Sequence, residues 1–389
     1  MMMKLSFRIL YEMLRVLIHK LSHNFRIFSL YFLHQNYYNT SLTTISFTMR
    51  QSVLVIGAGM SGLTAARHLQ QHGMTVTVVD KGRGVGGRLA TRRITTEDGR
   101  EGKIDHGAQY LTAHESDFIS LTSELRTNAI IQEWKTTSGA NPATPRFFAP
   151  NGMTAVAKYL ANGIQTRLAE RIVSLNLTSS GWEAITDAGL TLRAESLIVT
   201  PPVPQTMMLL ETLPKNIYQE IMPEPASILL NSVEYTRGIV LMLAMKAPTR
   251  FMGQALAPNG GLRIDKSAIW WVADNQRKGI SPDTPTLTLH ATPDFSLEHW
   301  ETREEDILPL IFADVADVLG MQEVVWHALH RWRFSRVVKP FPDKYYALRS
   351  TFPCVLAGDA FTTSQWLPTR AEDAALSGLA AAEYLLSLQ

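Results

Sequence analysis

Gly57, Gly59 and Gly62 mark the place where this chain can meet an anion with bare backbone. They follow the apolar run Val53-Leu54-Val55-Ile56 and open onto Leu63 to His72, which has the apolar spacing of a helix. In such a turn the first glycine makes the sharp bend, the second lets backbone approach a pyrophosphate, and the third seats the helix on the sheet. The first-turn amides of that helix, with the positive end of its dipole, suit phosphate. Thr75 to Val79 reads as a second strand, and Asp80 at its end can accept hydrogen bonds from ribose hydroxyls, with Lys81 beside it. A glycine cluster alone would mark only a turn. Strand, turn, helix, second strand and terminal acid, all in order within about 30 residues, predict a dinucleotide site.

A second group follows directly. Arg83, Gly86, Gly87, Arg88 and Thr91 form R-x-x-G-G-R-x-x-T. On residues alone this is a solvated basic loop. The pattern resembles the second glycine motif of FAD flavoproteins of the amine oxidase and phytoene desaturase type, and that resemblance implies FAD rather than NAD, with the glycine pair at Gly86 and Gly87 letting the chain pass close to the cofactor and Arg88 meeting the pyrophosphate with a planar fork of donors. Gly82, Gly84 and Gly87 also spell G-x-G-x-x-G, but no strand precedes them and no amphipathic helix follows, so the match is a decoy. Near the other end, Cys354 to Phe361 reads as a short strand running into Gly358-Asp359, before an alanine-rich helix from Ala371 to Leu386. In FAD proteins of this kind the Gly-Asp turn meets the ribityl-phosphate part of the cofactor.

These motifs need elements to hold them. Arg171 to Leu177, Trp182 to Thr186 and Ser196 to Thr200 read as strands, the last stopped by Pro201-Pro202, with a helix from Thr154 to Ala161. Ser227 to Tyr235, Ile239 to Met245, Ala268 to Val272 and Thr286 to Ala291 read as antiparallel strands, and Glu301 to Leu319 as a helix. The fold class expected is α/β: a Rossmann-like FAD-binding domain (50–115, 147–204 and 329–389) interleaved with an α+β substrate domain (116–146 and 205–328) on a largely antiparallel sheet. The second domain is of the amine oxidase or p-hydroxybenzoate hydroxylase-like kind.

Composition narrows the function classes. At 46% hydrophobic and 19% charged the chain suits a globular protein, and a net charge of +2 argues against a nucleic-acid or stable membrane partner. The single cysteine, Cys354, excludes an intrachain disulfide and a cysteine zinc cluster and fits a reducing, cytoplasmic setting. No metal site is expected. Residues 1 to 48 carry five Lys or Arg and one acid. They read as a disordered or non-native extension or, alternatively, as an organelle transit peptide.

Several further segments narrow the resemblance. Asp105-His106-Gly107-Ala108-Gln109-Tyr110, Phe148 to Gly152, Pro202-Val203-Pro204, Asp274-Asn275-Gln276-Arg277-Lys278, Leu289 to Thr292, Arg331 to Ser335 and Gly358 to Phe361 together resemble the renalases, a branch of the amine oxidase-like flavoproteins. The resemblance covers residues 50 to 389. It implies non-covalent FAD held at Ser61, Arg88, Tyr110 and Leu111, and a misreduced NAD(P)H isomer as a dihydronicotinamide substrate. Electrons would pass through FAD to O2, giving H2O2. Asn275 and His290 would stand near the flavin as the catalytic pair. On residues alone they read as a turn-capping asparagine and a satisfied strand histidine; the resemblance is what makes them site residues. Trp270-Trp271 and the shorter glycine turn at Gly358 depart from the family pattern. The alternative function is an amine oxidase or desaturase, which Cys354 does not favour: it lies too early to tether a flavin. Oligomeric state is not legible.

Overall fold

The computed structural model describes residues 51–135, 144–251, 260–320, 323–365 and 370–389, together with the backbone of 27–30 and 45–48. Ile27–Leu30 and Ile45–Thr48 pair as an antiparallel hairpin in a unit distinct from Ser52–Gln389. The rest of residues 1 to 48, and the expectation placed on it, lie outside the described residues.

Ser52–Ile56 sits at the heart of a six-stranded sheet. Its order runs Tyr346–Ala347, Cys354–Leu356, Ser196–Val199, Ser52–Ile56, Thr75–Asp80, Gln165–Leu168, parallel throughout except at the Tyr346–Ala347 edge. The central strands carry near-continuous Val, Leu and Ile because both faces are covered. On one face the helices Met60–Gln71 and Ala371–Ser387 pack with Thr154–Leu160. The other face meets Val203–Leu210 and a three-stranded sheet, Ile172–Thr178, Gly181–Thr186 and Thr191–Ala194. Cys354 is buried, which pushes its thiol pKa up and leaves it inert.

The second layer is a five-stranded antiparallel sheet ordered Gly261–Arg263, Ile269–Asp274, Thr286–Ala291, Glu234–Met245, Val324–Lys339. Strand alternation divides its faces. Leu241, Leu243, Leu287 and Leu289 turn to the helices Pro293–Glu298 and Glu304–Val315. Met242, Ala244, Thr286, Thr288 and His290 turn to the hairpin Thr91–Thr95 and Glu101–Asp105 and to the loop after it.

Three expectations change. Ser227–Asn231 is not strand: Glu224–Asn231 is a helix, started by Pro223 and Pro225, with Ile228 and Leu229 exposed and Leu230 inward. Leu329 to Lys339 continues a strand of the antiparallel sheet, so the return to the nucleotide layer falls after Lys339. Ser116–Thr127, placed by sequence in the substrate domain, buries Phe118 and Leu125 in the core shared with Met60–Gln71.

Candidate active site

The glycine loop is shaped by contacts that exclude side chains at two positions and leave the third open. Gly57 has φ +110°, and a Cβ there would stand 2.3 Å from Thr200 Oγ1. A Cβ on Gly62 would meet the Gly57 carbonyl oxygen at 2.0 Å. At Gly59, by contrast, an added Cβ meets nothing within 4 Å. That open space lies at the N-terminus of Met60–Gln71, whose cap residue provides no side-chain bond. In the first turn Ser61 Oγ is buried without a hydrogen-bond partner.

Asp80 binds the loops together. Its carboxylate accepts from Ala58 N–H at 2.7 Å and from Gly82 N–H at 2.6 Å, while Gly86 N–H donates to Ala58 O at 2.8 Å. The second motif is therefore folded back on the first, and Gly87 lies against Gly59. Lys81 points outward and donates to Gln205. Arg88 and Asp359, expected as separate cofactor contacts, are each other's partners: the guanidinium donates to both carboxylate oxygens at 2.5 and 2.6 Å and also to Phe334 O. Gly358 N–H donates to Ser377 on the C-terminal helix. The three motifs, far apart in sequence, form one cradle.

The opposite wall comes from the antiparallel sheet and the loop after Glu101–Asp105. At its base lies a wholly buried ion pair, Lys278 Nζ to Asp105 Oδ2 at 2.9 Å. Burial pulls the lysine pKa below its ordinary value and Asp105 pushes it back. Asp105 also accepts from Thr91 Oγ1 and Met153 N–H, and Lys278 also donates to Gln109 O at 2.7 Å and faces Gln109 Oε1 at 3.5 Å. With its amide oxygen toward the ammonium, Gln109 turns its Nε2 to Asp105 O at 2.6 Å and to His290 Nε2 at 3.1 Å. Only a neutral imidazole with its proton on Nδ1 accepts that bond. Burial, then the charges of Arg336, His106 and Lys278, push the His290 pKa down to about 3, so the ring stays neutral. A chain of four side chains thus fixes one tautomer.

Next to this network lies an aromatic cluster. Tyr110, Trp134 and Trp271 group with ring centres about 6 Å apart (5.9, 6.0 and 6.0 Å). A bulge between Ile269 and Trp271 adds Trp270, whose ring centre stands 6.2 Å from His290. His106 stacks on Trp332, and its pKa falls to about 4 through burial and the neighbouring His330.

The proposed catalytic pair is divided by the structure. His290 lines a recess; Asn275 is fully buried, its side-chain amide donates to Thr288 Oγ1 at 3.0 Å, and its Oδ1 is unpartnered. Contact between Asn275 and a substrate would need the wall to open. Leu111 is likewise a core residue, with N–H and C=O both paired to Phe147, so it offers a cofactor nothing. Asp105, Gln109 and Lys278 were missed as site residues. They stood inside two quoted segments, but neither segment signals that it pairs with the other 173 residues away.

Fold and cradle define a two-layer flavoprotein. The flavin containing amine oxidoreductase model matches residues 132–386, and a NAD(P)-binding Rossmann-like domain matches 55–124. The chain belongs to the flavin-containing amine oxidoreductase family, and within it is renalase-like. Renalase of Mus musculus is 25% identical over 331 residues, covering 81% of this chain and 94% of the mouse protein. Lysine-specific histone demethylase 1 homolog 3 of Arabidopsis thaliana is 46% identical over 70 residues, 18% of this chain and 4% of that protein. Among solved structures, wild-type putrescine oxidase bound to putrescine matches with a TM-score of 0.62 at 14% identity, over 87% of this chain and 99% of that one; the likeness is one of fold.

The protein is an FAD-dependent oxidoreductase, and its residues fit the cofactor. The open space at Gly59, the uncapped helix terminus and the orphaned Ser61 hydroxyl are what a dinucleotide pyrophosphate requires. Among the described residues no three His, Cys, Asp or Glu are grouped to hold a metal ion, and no helix is long and apolar enough to cross a membrane.

Proposed function

We propose that this protein oxidises dihydronicotinamides, the misreduced isomers of NAD(P)H, with O2 as final acceptor, in the cytoplasm. The cradle would hold FAD non-covalently, and the cofactor would supply a hydride acceptor that O2 can reoxidise, so that donor, O2 and one proton balance NAD(P)+ and H2O2. Hydride donation needs no protein base. What the chain must do is place a flat donor and exclude water. The observation that carries the reading is the fixed neutral tautomer of His290, whose Nδ1–H is left to donate to a carboxamide oxygen beside aromatic walls. The recess beside it is lined by Arg237 and Arg336 and by no Asp or Glu. An ammonium substrate finds no counter-charge there, which counts against amine oxidation.

The test is aerobic turnover with a panel of donors. The expected result is consumption of one O2 and formation of one H2O2 and one NAD(P)+ per 2- or 6-dihydro isomer, with primary and secondary amines inert. Turnover of an amine with no reaction of any dihydronicotinamide would replace this reading by the amine oxidase one.

A further inference from the structure

The recess beside His290 holds a cation without a counter-charge. Arg336 lies on the strand Val324–Lys339, half-buried, with its guanidinium 4.1 Å from the centre of the Trp270 ring. Among the described residues the guanidinium makes no hydrogen bond or ion pair. Arginines nearby are satisfied differently: Arg331 donates to the carbonyls of Trp300 and Thr302, and Arg88 is locked to Asp359. The recess, about 20 Å³ in volume, has room for little more than a water, so a larger anion would meet Arg336 at its rim; its lining includes Thr236, Arg237, Trp270, His290, Ser335 and Arg336, and no acidic residue. Arg263 adds a further positive charge near Arg336.

A guanidinium carries five donors and keeps its charge whatever its surroundings. Stacking on an indole compensates one face of the ion but satisfies none of those donors. The indole is itself delivered by the bulge at Trp270, a break in the ladder that brings the ring beneath the cation. His290 is neutral and already accepts from Gln109, so it does not serve as the missing acceptor. What completes such a site is an anion with several acceptor oxygens.

We infer that Arg336, braced on Trp270, binds a phosphate group of the substrate, fixing the donor ring at His290 by its tail. This rests on the dihydronicotinamide reading, whose substrates carry a phosphate on the nicotinamide ribose and a second beyond it. Phosphate thereby becomes a requirement for tight binding rather than a passive part of the molecule.

The experiment compares holoenzyme, Arg336→Met and Arg336→Lys. Dissociation constants come from the concentration dependence of anaerobic flavin reduction by 2- or 6-dihydronicotinamide as dinucleotide, mononucleotide and riboside. Arg336→Met should weaken the dinucleotide about tenfold to hundredfold and leave the riboside unchanged, with Arg336→Lys between. If the mononucleotide suffers equally, the phosphate next to the ribose is the one held; if only the dinucleotide suffers, it is the second. Equal weakening of all three donors, or of none, overturns the inference. A parallel titration of inorganic pyrophosphate into the oxidised holoenzyme, followed by tryptophan fluorescence, separates this from the substrate assignment. Saturable pyrophosphate binding that Arg336→Met abolishes sustains the anion site even where no dihydronicotinamide reduces the flavin. Identical titrations of the two proteins reject the anion site whichever donor reacts.

Discussion

At the glycine loops the chain prepares for its ligand with main chain and empty space: amides at a helix terminus, an unobstructed Gly59, and a carboxylate that ties two loops together. On the sheet face the preparation is made by side chains bonded to one another, from Asp105 through Lys278 and Gln109 to His290. The first region tolerates solvent and takes charge; the second is dry, and each member depends on its neighbour. The difference teaches where mutations should be felt. Damage to the cradle should appear as lost cofactor, and damage to the network as lost stability and misplaced substrate.

The largest effect is expected at the network's base. Lys278→Met leaves Asp105 charged and buried without a counter-charge, which costs about 3–5 kcal/mol. Chemical denaturation of the variant should show that loss, and adding Asp105→Asn should recover much of it. A loss below about 1 kcal/mol would mean that water or rearrangement compensates, and the network would be no stiffer than the cradle.

At the cradle, Asp80→Ala removes charge-assisted bonds from Ala58 and Gly82 and any ribose contact. A change of about 1.5–3 kcal/mol, one to two decades in FAD affinity, is expected by equilibrium titration. An unchanged affinity would move the organising role away from Asp80.

Acid should strike the sheet face first. The unfolded chain protonates His290 near 6.5, whereas the folded chain resists until about 3 and His106 until about 4. Unfolded protein therefore binds more protons in that window, and stability present above pH 6.5 is lost as pH falls. At pH 5 the loss is about 2 kcal/mol for each ring. His290→Gln should flatten the melting-temperature profile between pH 7 and 5; an unaltered profile would contradict the buried neutral ring.

How much of this could be read beforehand follows the same division. Glycines announce a cradle because their spacing is local and their reason steric, so the turn at Gly57, Gly59 and Gly62 was legible, whereas Asp80 was read as a ribose acceptor and its tie to the Ala58 and Gly82 amides was not. The mutual pairing of Arg88 and Asp359 was not, since both were read as ligands of something else. The sheet face was legible only through resemblance: nothing local in Asp105 to Tyr110 names Lys278 as its partner. Arg336 passed unnoticed because an arginine in a strand ordinarily reaches solvent. Ser227 to Asn231 misled because a short apolar run suits helix and strand alike, and Pro225 decides it.

The smallest effect is the finest contrast. Gly59→Ala adds a methyl to open space at ordinary φ, so stability without cofactor should stay within about 0.5 kcal/mol while FAD binding falls. Gly62→Ala forces a methyl onto the Gly57 carbonyl and should cost about 1–3 kcal/mol. Melting temperatures of both variants, with and without FAD, check the pair. Equal destabilisation would erase the distinction between space kept for a ligand and space filled by the fold.

The central claim concerns the donor, and single-turnover flavin bleaching under anaerobic conditions tests it most directly. The account predicts that 2- or 6-dihydro NAD(P) bleaches the flavin at least about 100-fold faster than the 4-dihydro form, about 2.7 kcal/mol in the barrier. A primary or secondary amine that bleaches it faster than every dihydronicotinamide would contradict the account.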